Sequence, residues 1–137
     1  MAERTISEEE LRNMLAKLQR YQASAEAYQQ EIVLMDASIR ASDNAIHVFD
    51  RLEDVKDSRE VLVPIGAGAY IHASITSDQI LMELGAGISA EKSVEEARQS
   101  LVKRKDQMGK MLDRLRKDLD EINKEMQNLQ LKVSQYG

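Results

Sequence analysis

Apolar side chains recur at heptad spacing along the N-terminal part of this 137-residue chain, and that spacing constrains everything else. Leu11, Leu18, Ala25, Ile32, Ile39 and Ile46 form one column, and Met14, Tyr21, Tyr28, Met35, Ser42 and Phe49 form the other, with Ser42 the one polar member. Alternating steps of three and four held for this long belong to a narrow coiled-coil seam, because a globular helix carries a wider stripe at period 3.6. Ser7 opens the segment as an N-cap, three residues before Glu10 in a capping box, with Ile6 and Leu11 at the staple positions. Glu8, Glu9 and Glu10 suit the positive end of the helix dipole. A helix from Ser7 to roughly Asp57 would be about 75 Å long at 1.5 Å per residue, too long to fold back into a small core.

A second capping box, Ser93-Val94-Glu95-Glu96, opens a matching helix expected to run to about Gln135 and to be near 65 Å long. Its seam reads Leu101, Lys105, Met108, Leu112, Leu115, Leu119, Ile122, Met126, Leu129, Val133 and Tyr136, broken only by Lys105. Antiparallel pairing of the two seams sets Ile46 against Leu101, Ile32 against Leu115 and Leu18 against Leu129. Both chain ends then lie at one tip.

Between the helices the pattern changes. Glu60 to Lys92 holds four of the six glycines and the only proline, including Gly-Ala-Gly at 66–68 and again at 85–87. Residues alternate at period two: Val61, Val63 and Ile65; Ile71, Ala73 and Ile75; Ile80, Met82 and Leu84. Gly66, Gly68, Gly85 and Gly87 supply the positive-φ positions of tight hairpin turns, and Ser77-Asp78 is a polar link between two hairpins. The hairpins repeat at an offset of 19, with Leu62, Ile65 and Gly66 matching Leu81, Leu84 and Gly85. Four strands of this length cannot close a barrel alone, so free edges and an apolar face are left over for oligomerisation.

The expected fold class is therefore mainly α with a small β region: a long antiparallel coiled-coil hairpin whose helices are joined by two β-hairpins that form an oligomeric β-barrel. The expected parts are an N-terminal helix at 1–58, an assembly region at 59–92 and a C-terminal helix at 93–137, together a single structural unit. Composition agrees, since aromatic residues make 4% and charged residues 31%, a balance suited to long exposed helices. The absence of cysteine excludes disulfides and thiolate chemistry and points to a reducing compartment, with the cytoplasm expected. The N-terminus has no apolar h-region, and no run reaches the length of a membrane span, so neither a signal peptide nor a transmembrane helix is expected. Net charge is −5, with 8 basic and 16 acidic groups in residues 1–91 against 11 and 8 beyond, which gives no nucleic-acid footprint.

Each sharper chemical reading fails on a named residue. A G-x-G-x-x-G phosphate loop would need glycine at Ile71, and no G-K-[ST] follows. His47 and His72 have no further histidine or cysteine to complete a metal site. Asp118 with Asp120, and Glu95 with Glu96, are solvated faces of a coil rather than acid–base pairs. Lys103-Arg104-Lys105 runs straight into Asp106, with no aromatic platform beside it. No catalytic residue, metal or cofactor is expected.

The succession of helix, VLVPIGAGAYIHASI, QILMELGAGISAEKSVEEA and helix closely resembles the prefoldin family, and within it the alpha class of archaeal subunits. The resemblance covers essentially the whole chain and is most specific over residues 61–97. It implies a heterohexamer with two alpha and four beta subunits, whose hairpins make a double barrel from which coiled coils hang. It also implies ATP-independent capture of unfolded client proteins and their delivery to a group II chaperonin, with no role for nucleic acid or membrane. Assembly then falls to Val61, Val63, Ile65, Ile71, Ala73, Ile75, Ile80, Met82 and Leu84. Client capture falls to the free arm ends, where the last coil layers fray: Leu11, Met14, Leu15, Leu18, Met126, Leu129, Leu131, Val133 and Tyr136. Leu15 and Leu131 lie off the seam, so closing the coil does not require them. The alternative is a structural scaffold or tethering subunit with no client binding, in which the tip residues only close the coil.

Overall fold

The computed structural model of the chain describes residues 7–54 and 59–135. Helix α1 spans Glu8–Asp54, strands β1 to β4 span Glu60–Gly66, Ala69–Ser74, Gln79–Gly85 and Ile88–Ser93, and helix α2 spans Val94–Ser134. Both expected caps form, with the Glu10 N–H donating to Ser7 Oγ at 3.2 Å and the Glu96 N–H donating to Ser93 Oγ at 3.1 Å. Ile6, Tyr136 and the expected continuation of α1 to Asp57 lie outside the described residues. The chain divides into two compact units: the helical residues up to Ser38 with those from Met108 onward, and Ile39–Gln107.

In both units the heptad columns are the covered residues. Every seam residue of α1 from Leu11 to Phe49 is buried or half-buried, while nearly all others on the helix are exposed, and the same holds for Leu101 to Val133 on α2. Within the second unit, Asp43 pairs with Lys105 at 2.5 Å and Asp50 with Arg98 at 2.5 Å, one residue from the register that sets Ile46 against Leu101. Within the first, Arg116 reaches Asp36 at 3.5 Å. Asp36, Asp43 and Asp50 thus form a third heptad row beside the apolar seam, each meeting a cation on α2.

The β residues make two separate antiparallel hairpins, β1 with β2 and β3 with β4. The repeat at an offset of 19 holds at backbone level: both turns place Gly, Ala and Gly at positive φ, with Ala67 at 54° and Ala86 at 53°. Two consecutive positive-φ residues at the tip match the right-handed twist of the flanking strands. Each hairpin also has a bulge just before its turn, between Pro64 and Gly66 and between Glu83 and Gly85. Ile65 and Leu84 are consequently left without cross-strand partners, a departure from the unbroken alternation read from sequence. Pro64 is tolerated at such a site because its missing N–H breaks no ladder further in. The link between the hairpins is held by an Arg59–Asp78 ion pair and by the Gln79 N–H donating to Ser77 Oγ at 3.1 Å.

The core of the second unit is small: Phe49 from α1, Met82 from β3, and Ala97 and Leu101 from α2, flanked by Ala45, Ile46, Leu52, Ile80 and Val94. The second hairpin is thereby fastened to the helix ends that frame it.

Candidate functional site

The two hairpins share a backbone but not a cover. On β3–β4, Ile80 faces Lys92 and Met82 faces Ala90, and all four are buried or half-buried on that side. The equivalent face of β1–β2 pairs Val61 with Ala73 and Val63 with Ile71. It is the more apolar of the two, and it is open: Val61 is 37%, Val63 43% and Ile71 51% exposed. An isolated two-stranded hairpin is marginal in water, and this one has an uncovered apolar face and two free edges.

The structure distributes the remaining sequence candidates unevenly. Ala73, Ile75 and Ile80 are half-buried and Met82 is buried, whereas Ile65 and Leu84, both at bulges, are exposed. Leu62, Tyr70, Leu81 and Ile88 are also exposed apolar residues of the hairpins that alternation did not single out. The duplicated Leu62 and Leu81 were the available signal, since both stand on the face opposite the candidates. Their partners are His72 and Glu91, so that face is mixed rather than apolar.

Within the first unit, Leu11, Met14, Leu18, Met126 and Val133 are half-buried and Leu129 is buried, as seam positions require. Leu15 and Leu131 are exposed, at 42% and 63%. Tyr136 lies outside the described residues. Among those residues no three of His, Cys, Asp and Glu gather as metal ligands, and no helix is long and apolar enough to cross a membrane.

Two long helices of heptad design, joined by a duplicated hairpin with one apolar face left exposed, define a helical hairpin with a small β region between its arms. The family model described as "Prefoldin subunit" matches residues 21–137. Among curated proteins, the chain is similar to "Prefoldin subunit alpha" of Methanosarcina mazei, 39% identical over 103 residues and 72% of each chain. It is likewise similar to "Prefoldin subunit alpha" of Methanosarcina barkeri, 37% identical over 106 residues and 74% of each chain. Among solved structures it resembles a chain of filamentous PFD from Methanocaldococcus jannaschii, determined by cryo-electron microscopy. That match has a TM-score of 0.68 and 24% identity, and covers 82% of this chain and 93% of that one, a likeness of fold. The chain belongs to the prefoldin family, whose members are chaperone subunits that assemble with other prefoldin subunits.

Proposed function

We propose that this chain is the alpha-type subunit of an ATP-independent holdase. Two copies join four beta-type subunits through the hairpins, the arm tips capture unfolded proteins in the cytoplasm, and the complex passes them to a group II chaperonin. The observation that carries the capture step is the exposure of Leu15 and Leu131 near the two ends of the chain. Large apolar side chains off the seam are exposed along both helices, Val33, Leu34 and Met111 as well as Leu15 and Leu131. This suits a surface that adapts to many sequences, and fraying of the last layers favours the ends. Met14 and Met126, half-buried in adjacent layers, add flexible apolar area when those layers open. The open face of β1–β2 supports assembly, because the apolar residues there lack a cover that the second hairpin has.

Removing about two heptads from both ends separates capture from assembly. The trimmed chain mixed with beta-type subunits is expected to form the hexamer, seen by sedimentation, and to lose protection of a denatured client against aggregation. Undiminished protection by the trimmed hexamer would remove the tips from the capture step.

A further inference from the structure

Between α1 and α2 of the first unit lies an open groove of about 550 Å³, lined in part by Tyr21, Tyr28 and Ile122. Three carboxylates edge it, Asp118, Glu121 and Glu125. None of the three has an ion-pair partner among the described residues, in contrast to Asp36, Asp43 and Asp50, which each meet a cation on α2. Lys124 also borders the groove, but its Nζ is engaged by Asp120 at 3.1 Å, outside the lining. The groove therefore sets two tyrosines beside three carboxylates and one lysine, a lining of net negative charge. That pairing accepts cations, since a ring's face attracts an ammonium or guanidinium and a nearby carboxylate holds it. Tyr21 already does so internally, with Lys17 Nζ 5.8 Å from its ring centroid.

We propose that this groove is a docking site for lysine and arginine side chains of an extended, non-native polypeptide. The apolar body of such a side chain lies along Tyr28 and Ile122 while its charged end meets Glu121, Glu125 and Asp118. The inference rests on the capture function proposed above for the source of that polypeptide, and it adds a preference: captured chains engage through basic as well as apolar side chains, and acidic segments are repelled.

The test uses the full-length chain and two fluorescently labelled peptides identical except that lysines in one are glutamates in the other. Anisotropy at low salt is expected to show the lysine peptide binding at least about ten-fold tighter, an advantage that shrinks in high salt as screening shortens to a few ångströms. The double substitution Glu121→Gln with Glu125→Gln is expected to abolish that advantage, and Tyr28→Leu to weaken the lysine peptide about three-fold, the size of an exposed cation–ring contact. Glu8→Gln with Glu9→Gln changes net charge equally but lies off the groove, and is expected to keep the preference. Equal binding of both peptides, or loss of preference in the Glu8/Glu9 control to the same extent, overturns the proposal. Far-UV circular dichroism confirms that each variant remains helical, which glutamine and leucine favour. Client protection is measured separately on the assembled wild type. Its absence removes the capture function, whereas protection without a lysine preference removes only the groove.

Discussion

Met82 and Val63 occupy equivalent positions of the two hairpins, and truncating each to alanine is expected to damage different things. Met82 is 8% exposed and packs on Phe49, Ala97 and Leu101 within one chain. Met82→Ala removes side-chain atoms from the buried cluster that, among the described residues, ties β3 to the helices. The expected cost is about 2–4 kcal/mol, the range for truncating a buried Met, Leu or Ile. Val63 is 43% exposed, so Val63→Ala loses two methyl-sized groups of which half are already in water. At about 0.8 kcal/mol per buried CH₂ the isolated chain loses less than about 1 kcal/mol. Urea unfolding followed by far-UV circular dichroism is expected to shift its midpoint markedly for Met82→Ala and barely for Val63→Ala. Sedimentation with beta-type subunits is expected to show the reverse emphasis, with Val63→Ala weakening the complex beyond its effect on the single chain. Equal destabilisation of the isolated chain by the two substitutions would refute the argument, since it would mean that both hairpin faces are covered alike.

Gly109 sits inside α2, and a Cβ built there meets nothing within 4 Å. Gly109→Ala is therefore expected to raise helix stability by up to about 1 kcal/mol, read as a higher urea midpoint, and a loss would reveal a contact made only in the assembled state. Lys105 interrupts the seam and pairs with Asp43, both partly solvated at 43% and 39% side-chain exposure, so the pair itself contributes under about 1 kcal/mol. Lys105→Leu is expected to stabilise the arm modestly while loosening its register, because a polar seam residue selects alignment at a cost in stability. Disulfide trapping between cysteines placed at positions 46 and 101, and one heptad out of step, reads the register directly. An unchanged trapping pattern would deny Lys105 that role.

The heptad columns made the helices legible because a period of three and four over six repeats admits one packing partner, another helix, and burial along the seam follows the columns residue by residue. The caps at Ser7 and Ser93 were equally legible, as each needs only a hydroxyl three residues before a glutamate. The turns were readable from Gly-Ala-Gly, yet the positive φ of Ala67 and Ala86 was not, since alanine does not announce that conformation. The bulges at Ile65 and Leu84 escaped for a related reason: alternation in sequence continues through a bulge that the paired strand does not share. The aspartate row at 36, 43 and 50 was hidden because charged residues beside a seam read as solvent-exposed until their partners across the coil are placed. The acid-edged tyrosine groove was invisible for the same cause. Tyr21 and Tyr28 register as seam residues, and only the neighbouring helix brings Asp118, Glu121 and Glu125 alongside them.

The paired turns also explain why this β region needs cover from outside itself. An alanine in the left-handed region costs about 1–2 kcal/mol, and each hairpin carries one at its tip, at Ala67 and Ala86. A two-stranded ribbon is marginal before that cost is counted, so neither hairpin is self-sustaining. The second is offset by Phe49, Ala97 and Leu101, which close over Met82. The first has the more apolar face, with Val61, Val63 and Ile71 in place of Ile80, Met82 and Ala90, and lacks an equivalent lid. Its ordered state is therefore coupled to whatever covers that face, and under the assembly proposed above that cover is a neighbouring subunit. Folding of β1–β2 and assembly are on this account one thermodynamic step, so hydrogen-exchange protection of the Leu62 and His72 amides should appear only when the complex forms. The Leu81 and Glu91 amides, by contrast, should already be protected in the single chain.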